Sequence, residues 1–338
     1  MKRRLPAEWE PQSAVQFTFP HSESDWAGLL NEVIPCFVEC IEIVSRFEKV
    51  LVICRNRAEV AAHLKNAVQD NLILAECPSN DTWARDHGPI TVEENGHLVL
   101  LDFMFTGWGL KFPAFHDNLI TGRLYEQGVF SSLPLLRPGL VLEGGAIETD
   151  GQGALLTTAG CLLSPNRNPH LGREQLEAKL SEWLGVNHFL WLHHGYLAGD
   201  DTDSHIDTLA RLCPNDTIAY VRCDDPNDEH YAALLAMETE LQAFRTQEGR
   251  PYMLVPLPWP DACYAEDGHR LPATYANFLI INGAVLVPAY GVPQDEAARV
   301  AVSSCFPGRE TIGVNCRPLI EQHGSLHCIT MQYPKGVF

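Results

Sequence analysis

Short apolar runs and stretches of helical period alternate from one end of this chain to the other. That alternation restricts it to α/β architectures. Residues 50–54 (VLVIC), 72–75 (LILA), 98–103 (LVLLDF), 154–158 (ALLTT, with 141–142 leading into it), 189–192, 217–221 and 252–255 read as strands. So do 278–281 and 284–287, with Asn282-Gly283 between them, the strongest short hairpin signal. Residues 26–47 carry Leu29, Leu30, Val33, Ile34, Phe37, Val38 and Ile41 at helical spacing, with Ser22 and Ser24 as candidate caps. Residues 58–68, 173–184 and 228–244 follow the same logic. The strands come in hairpin-like pairs as well as singly. A repeated mixed β/α unit therefore fits better than a doubly wound parallel sheet. Neither GxGxxG nor GxxxxGK[ST] occurs, so nucleotide-binding folds have no motif support. No linker or low-complexity segment divides the chain, which predicts one domain over 1–338.

Composition narrows the partners. A formal charge of −19 disfavours nucleic acid and anionic membranes and suits a small cationic substrate. The opening MKRRLPAEWE has no apolar run behind its basic residues, and no stretch approaches membrane-spanning length. The 11 Cys form no CxxC pair and no Cys/His cluster at zinc spacing. The expectation is a cytoplasmic protein with reduced thiols, no metal and no cofactor, most Cys being buried fillers and one a nucleophile. A homo-oligomer is left open.

Four segments concentrate polar residues between strand-like flanks. In NDTWARDHGP, Asp86 lies near Trp83, and a carboxylate beside an indole suits a cation. In LEGG, Glu143 precedes two glycines that permit close backbone approach. In GDDTDSHID, His205 and Asp207 stand at i and i+2, which on an extended strand puts them on one side. In HGSLHCITM, Cys328 follows a Gly-Ser turn beside His327, a neighbour suited to holding a thiolate. Each also has an ordinary reading: a surface Asp–Arg pair, a strand end, a solvated loop, a buried Cys. Together they supply a thiol, an imidazole and three carboxylates. Carboxylates pair well with the N–H fork of a guanidinium.

The four motifs WARDHGP, LEGG, DSHIDTLAR and GSLHCITMQ, in this order, resemble the agmatine deiminase family of the guanidine-modifying superfamily. The likeness runs from the AEWEPQSAVQFTFPH opening to Gln332. It implies a five-bladed, pseudo-symmetric α/β propeller with the active site in its central channel. It also implies hydrolysis of agmatine to N-carbamoylputrescine and ammonia through a Cys-linked amidino intermediate. Cys328 would be the nucleophile and His205 the proton-transfer group. Asp86 and Asp207 would hold the guanidinium, and Glu143 would contact either His205 or the guanidinium. Trp83 and Trp108 are candidates to line the channel. Family members carry GHVDNFA around the His–Asp pair. Here Ser204, Ile206, Thr208 and Leu209 replace its neighbours, which points to a distinct bacterial branch. A peptidyl-arginine or other guanidine deiminase, or a catalytically silent binding member of the fold, are the alternatives.

Overall fold

The computed structural model describes residues 2–130 and 133–338. Its strands form five sheets, and each contains the same unit: an antiparallel pair with a parallel third strand. The units are Ile90–Glu94, His97–Leu101 and Leu135–Leu136; Ile147–Thr149, Ala154–Thr158 and His188–Leu192; Ala210–Cys213, Thr217–Val221 and Met253–Leu257; and Leu279–Ile281, Ala284–Ala289 and Glu310–Asn315. The fifth joins the two ends of the chain: Thr330–Pro334 pairs antiparallel with Gln12–Thr18, which runs parallel to Lys49–Cys54. Arg3–Arg4 and Leu72–Glu76 extend the first and fifth sheets at their edges. The result is a five-bladed α/β propeller.

Parallel neighbours require a crossover, and each unit has a helix there. These are Ile120–Glu126, Arg173–Leu184, Tyr231–Ala243, Asp295–Cys305 and, in the fifth unit, Leu30–Ser45. The last buries Val33, Cys36, Phe37, Cys40, Ile41 and Val44 as one stripe. The two helices that the sequence pattern missed show why. Asp295–Cys305 buries only Ala298, Val302 and Cys305, and Ile120–Glu126 is two turns long. Strand Gln12–Thr18 escaped because its buried face includes Gln16 and Thr18.

Several boundaries differ from expectation. The first long helix begins at Leu30, and neither Ser22 nor Ser24 caps it; the Ser24 hydroxyl donates to the carbonyl of His21 instead. The second helix spans Arg57–His63, with Asn56 accepting from the Ala58 and Glu59 amides. Residues 141–142 make only an isolated bridge through Val141 to Met104. At the expected hairpin Gly283 takes the positive φ, while the Asn282 side chain bonds both backbone groups of Gln12, joining the fourth sheet to the fifth. All eleven Cys are free and buried. Among the described residues, no helix is long and apolar enough to cross a membrane.

Candidate active site

The propeller brings the four motifs together by one rule. Each sheet presents a side chain from the segment just before its first strand. Asp86 lies in the turn Ala84–His87 ahead of Ile90–Glu94. Glu143 heads the turn Gly144–Ala146 ahead of Ile147–Thr149. His205 and Asp207 flank and occupy the turn Ile206–Thr208 ahead of Ala210–Cys213. Cys328 stands two residues before Thr330–Pro334. The fourth sheet supplies Asn277, ahead of Leu279–Ile281, a residue that sequence reasoning did not single out. His205 and Asp207 are thus not on an extended strand, and a tight turn rather than strand alternation places both inward.

The Cys328 sulfur lies 3.4 Å from Asn277 Oδ1 and 3.9 Å from Asp207 Oδ2. Asn277 Oδ1 also accepts from the backbone amides of His327 and Cys328, which fixes its oxygen toward the thiol. Asp207 Oδ2 is 2.7 Å from His327 Nδ1, and its Oδ1 has no hydrogen-bond partner. Asp86 accepts from Trp108 Nε1 at 2.9 Å and from the Gly145 amide at 3.0 Å. His205 sits 3.6 Å from Asp86 and 4.0 Å from Glu143, with neither ring nitrogen hydrogen-bonded. Buried polar atoms without partners are costly, so this centre is built for a ligand that brings its own hydrogen-bonding groups.

Glu143 is committed to a residue the sequence reading missed. Arg167 Nε donates to both its carboxylate oxygens, at 2.8 and 3.0 Å, and both side chains are fully buried. Arg167 then reaches Asp203, at 2.8 Å, two residues before His205. Cys161, Glu143 and His205 place one potential ligand atom each within 4.8 Å of one another, a metal-like trio that the sequence spacing conceals. The fixed positive charge of Arg167 on Glu143 works against a cation there.

Charge state follows from burial and neighbours. Burial opposes an imidazolium at His205, but Asp86, with Cys161 and Glu143, holds its pKa well above the ordinary histidine value. Burial and the carboxylates of Asp207 and Asp86 push the Cys328 thiol far up. The sequence had suggested that His327 would favour a thiolate. Its ring instead faces Asp207 and Glu8, and the raised pKa favours the thiol form of Cys328. Neutralising either carboxylate removes a cause of that upward shift. Asp86→Asn and Asp207→Asn are each expected to speed alkylation of Cys328 by iodoacetamide at pH 8 by about tenfold per pKa unit recovered, while slowing catalysis. Peptide-mapped alkylation rates test the sign. Slower alkylation would show that the carboxylates do not set the thiol's state.

Gly145 is required by closeness rather than by turn geometry. A Cβ there would lie 2.5 Å from His205 Nδ1 and 2.9 Å from Asp86 Oδ1. Gly145→Ala is expected to cost at least ~1.4 kcal/mol of transition-state stabilisation, a tenfold loss of kcat/KM. Circular dichroism should show the fold retained. Unchanged kinetics would mean that this centre is looser than drawn.

Cys328 and Asp86 open onto a pocket of about 500 Å³, lined also by Trp83, Trp108, Phe112, Asp25, Asp81, Asp200 and Asp201. Both tryptophans line this pocket, Trp83 packed against Gly324 and Trp108 bonded to Asp86. No Lys or Arg lines it among the described residues. Arg85 of WARDHGP and Arg211 of DSHIDTLAR are buried elsewhere. Arg85 donates to Gln332 at 2.5 Å, and Arg211 is held by Glu8 and Glu148. A separate cavity of about 660 Å³, lined by Glu8, Arg85 and Glu148 among others, includes neither Cys328 nor His205.

Fold and centre together define an α/β propeller whose five sheets converge on a cysteine, a histidine and three carboxylates. The Porphyromonas-type peptidyl-arginine deiminase family model matches residues 4–334, and the chain belongs to that family. It is 34% identical to an agmatine deiminase of Stutzerimonas stutzeri, over 98% of this chain and 95% of that one. A solved Porphyromonas gingivalis structure, named provisionally as an arginine deiminase, is 54% identical with a TM-score of 0.95 and 99% coverage of both chains. A Cys-to-Ser variant of the C. jejuni agmatine deiminase, solved with substrate bound, is 39% identical with a TM-score of 0.92, covering 99% of this chain and 97% of that one.

Proposed function

We propose that this protein is an agmatine deiminase, hydrolysing agmatine to N-carbamoylputrescine and ammonia. The observation that carries this reading is a buried thiol between two carboxylates, beneath an acidic pocket that no Lys or Arg lines. Asp86 and Asp207 receive the guanidinium. Its charge offsets the two carboxylates that hold Cys328 protonated, so the thiol gives up its proton to solvent as the substrate seats. The Cys328 sulfur attacks the guanidinium carbon. The imidazolium of His205 then gives its proton to the departing nitrogen, ammonia leaves, and an amidino thioether remains. Neutral His205 next takes a proton from water. The resulting hydroxide adds to the same carbon, the C–S bond breaks with the adduct's hydroxyl proton passing to the departing sulfur, and the ureido product leaves the resting thiol behind. Glu143, held by Arg167, stabilises the charged imidazole. Asp81, Asp200 and Asp201 favour the far ammonium, and Trp83 and Trp108 flank the methylene chain.

The deciding assay is ammonia release from agmatine, free arginine and an arginyl peptide. Release from agmatine well above the other two supports the proposal. Release mainly from the peptide would favour the peptidyl reading that the family description suggests.

A further inference from the structure

Behind the catalytic centre lies a line of buried ionisable groups to which the mechanism assigns no role. His327 Nδ1 is 2.7 Å from Asp207 Oδ2, and His327 Nε2 is 2.7 Å from Glu8 Oε2. Glu8 comes from the segment before the first long strand, 319 residues away in sequence. It also receives Arg211 Nη2 at 2.9 Å and donates nothing. Arg211 is anchored in turn by Glu148 and by the carbonyls of Ala276 and Phe278. All these side chains are buried, His327 at 1% exposure.

We infer that His327, clamped between Glu8 and Asp207, is a positioning residue that fixes the Asp207 carboxylate for the substrate. The inference rests on the deiminase reading above. A carboxylate beside a thiol can rotate about its terminal torsion, which is a soft coordinate. The bond from His327 pins Oδ2, so the unpartnered Oδ1 keeps one direction. Glu8 meets the opposite ring nitrogen and so holds the ring plane. A His ring nitrogen that faces only a carboxylate within hydrogen-bond distance donates to it, so Nδ1 donates to Asp207 Oδ2, while Nε2 stands between Glu8 Oε2 at 2.7 Å and Arg211 Nη2 at 3.1 Å. Burial opposes the Asp207 carboxylate, but the hydrogen bond from His327, on the side away from the pocket, holds its pKa down without touching the sulfur. The neighbour that looked like the thiol's activator in the sequence therefore acts one residue removed, through the carboxylate.

A double-mutant cycle tests this. Wild type, His327→Ala, Asp207→Asn and the double variant are compared by agmatine turnover, with folding checked by circular dichroism. His327→Ala is expected to lower kcat/KM about 30-fold, the scale of losing one charge-assisted partner. The double variant should fall within about threefold of Asp207→Asn alone, since the two act as one unit. His327→Gln, which keeps one donor for Asp207, should restore part of the loss, and it replaces the alanine variant in the cycle if that protein does not fold. A merely structural histidine would give losses that multiply and no recovery with glutamine. Either of those outcomes, or near-normal turnover in His327→Ala, overturns the inference. If wild type itself releases no ammonia from agmatine, the deiminase reading fails before this one is reached.

Discussion

Cys328→Ala is expected to abolish ammonia release from agmatine, by ~10⁴-fold or more, the scale on which removal of an enzyme nucleophile acts. Ten other cysteines are buried in this protein, so burial does not identify the nucleophile. Position does. The Cys328 sulfur alone lies against Asp207, and Cys328 lines the pocket that Asp86 also lines. Cys161 is the competitor, because it touches His205. It is fully buried and absent from that pocket's lining, so it has no route to a substrate. Rapid quench of the wild type with agmatine, followed by intact-mass measurement, should show a gain equal to agmatine less ammonia. Peptide mapping should place the gain on Cys328. Replacing His205, which the proposed mechanism uses to activate water, with a non-titrating residue should make the adduct accumulate. An adduct on Cys161 would exchange the roles of the two thiols and sink this assignment. Binding of agmatine should survive in Cys328→Ala, since the carboxylates that receive the cation remain.

The chemistry was more legible in the sequence than the fold that assembles it. Cys328, His205, Asp86, Asp207 and Glu143 stand inside short motifs whose residue types are unusual together. The structure brings these residues to one centre. What the motifs could not carry was pairing between distant segments. Arg167 contacts Glu143 from 24 residues away, inside a run, SPNRNPHLG, that reads as an ordinary loop. Asn277 sits in a strand approach that reads as core, 51 residues from the sulfur it faces. Glu8 reaches His327 across nearly the whole chain. Local patterns also misjudged direction. His327 adjoins Cys328 in sequence but faces Asp207 and Glu8. The alternation of strands and helices fixed the α/β class, yet the five repeats were hidden by uneven strand signals. Strands such as Ile147–Thr149 and Leu279–Ile281 have three residues, too few for a period to show. The repeat becomes visible only in the pairing, where the same antiparallel-then-parallel unit recurs five times.

Agmatine is expected to be preferred over free arginine by at least ~100-fold in kcat/KM, or about 2.7 kcal/mol. The two differ by the α-carboxylate. Bringing that anion into the pocket sets it among Asp25, Asp81, Asp200 and Asp201 and strips it of water. Burial already pushes the Asp81 carboxyl up to about 6, a sign of how poorly this region tolerates negative charge. Accepting the carboxylate would take a cationic clamp, and four nearby Arg and Lys side chains are committed elsewhere. Arg85 is turned to Gln332 and Arg211 to Glu8 and Glu148. Arg167 holds Glu143 and Asp203, and Lys111 holds Asp203. Arginine methyl ester separates charge from bulk, because it removes the anion and keeps a substituent at the same carbon. Charge repulsion predicts that the ester recovers much of the lost rate. Exclusion by size at the mouth predicts that it stays as poor as arginine, and that an arginyl peptide is poorer still. Competition kinetics with all three against agmatine distinguishes these outcomes. Arginine turned over as well as agmatine would defeat the electrostatic argument, and would mean that Lys111 or Arg167 leaves Asp203 to meet the carboxylate.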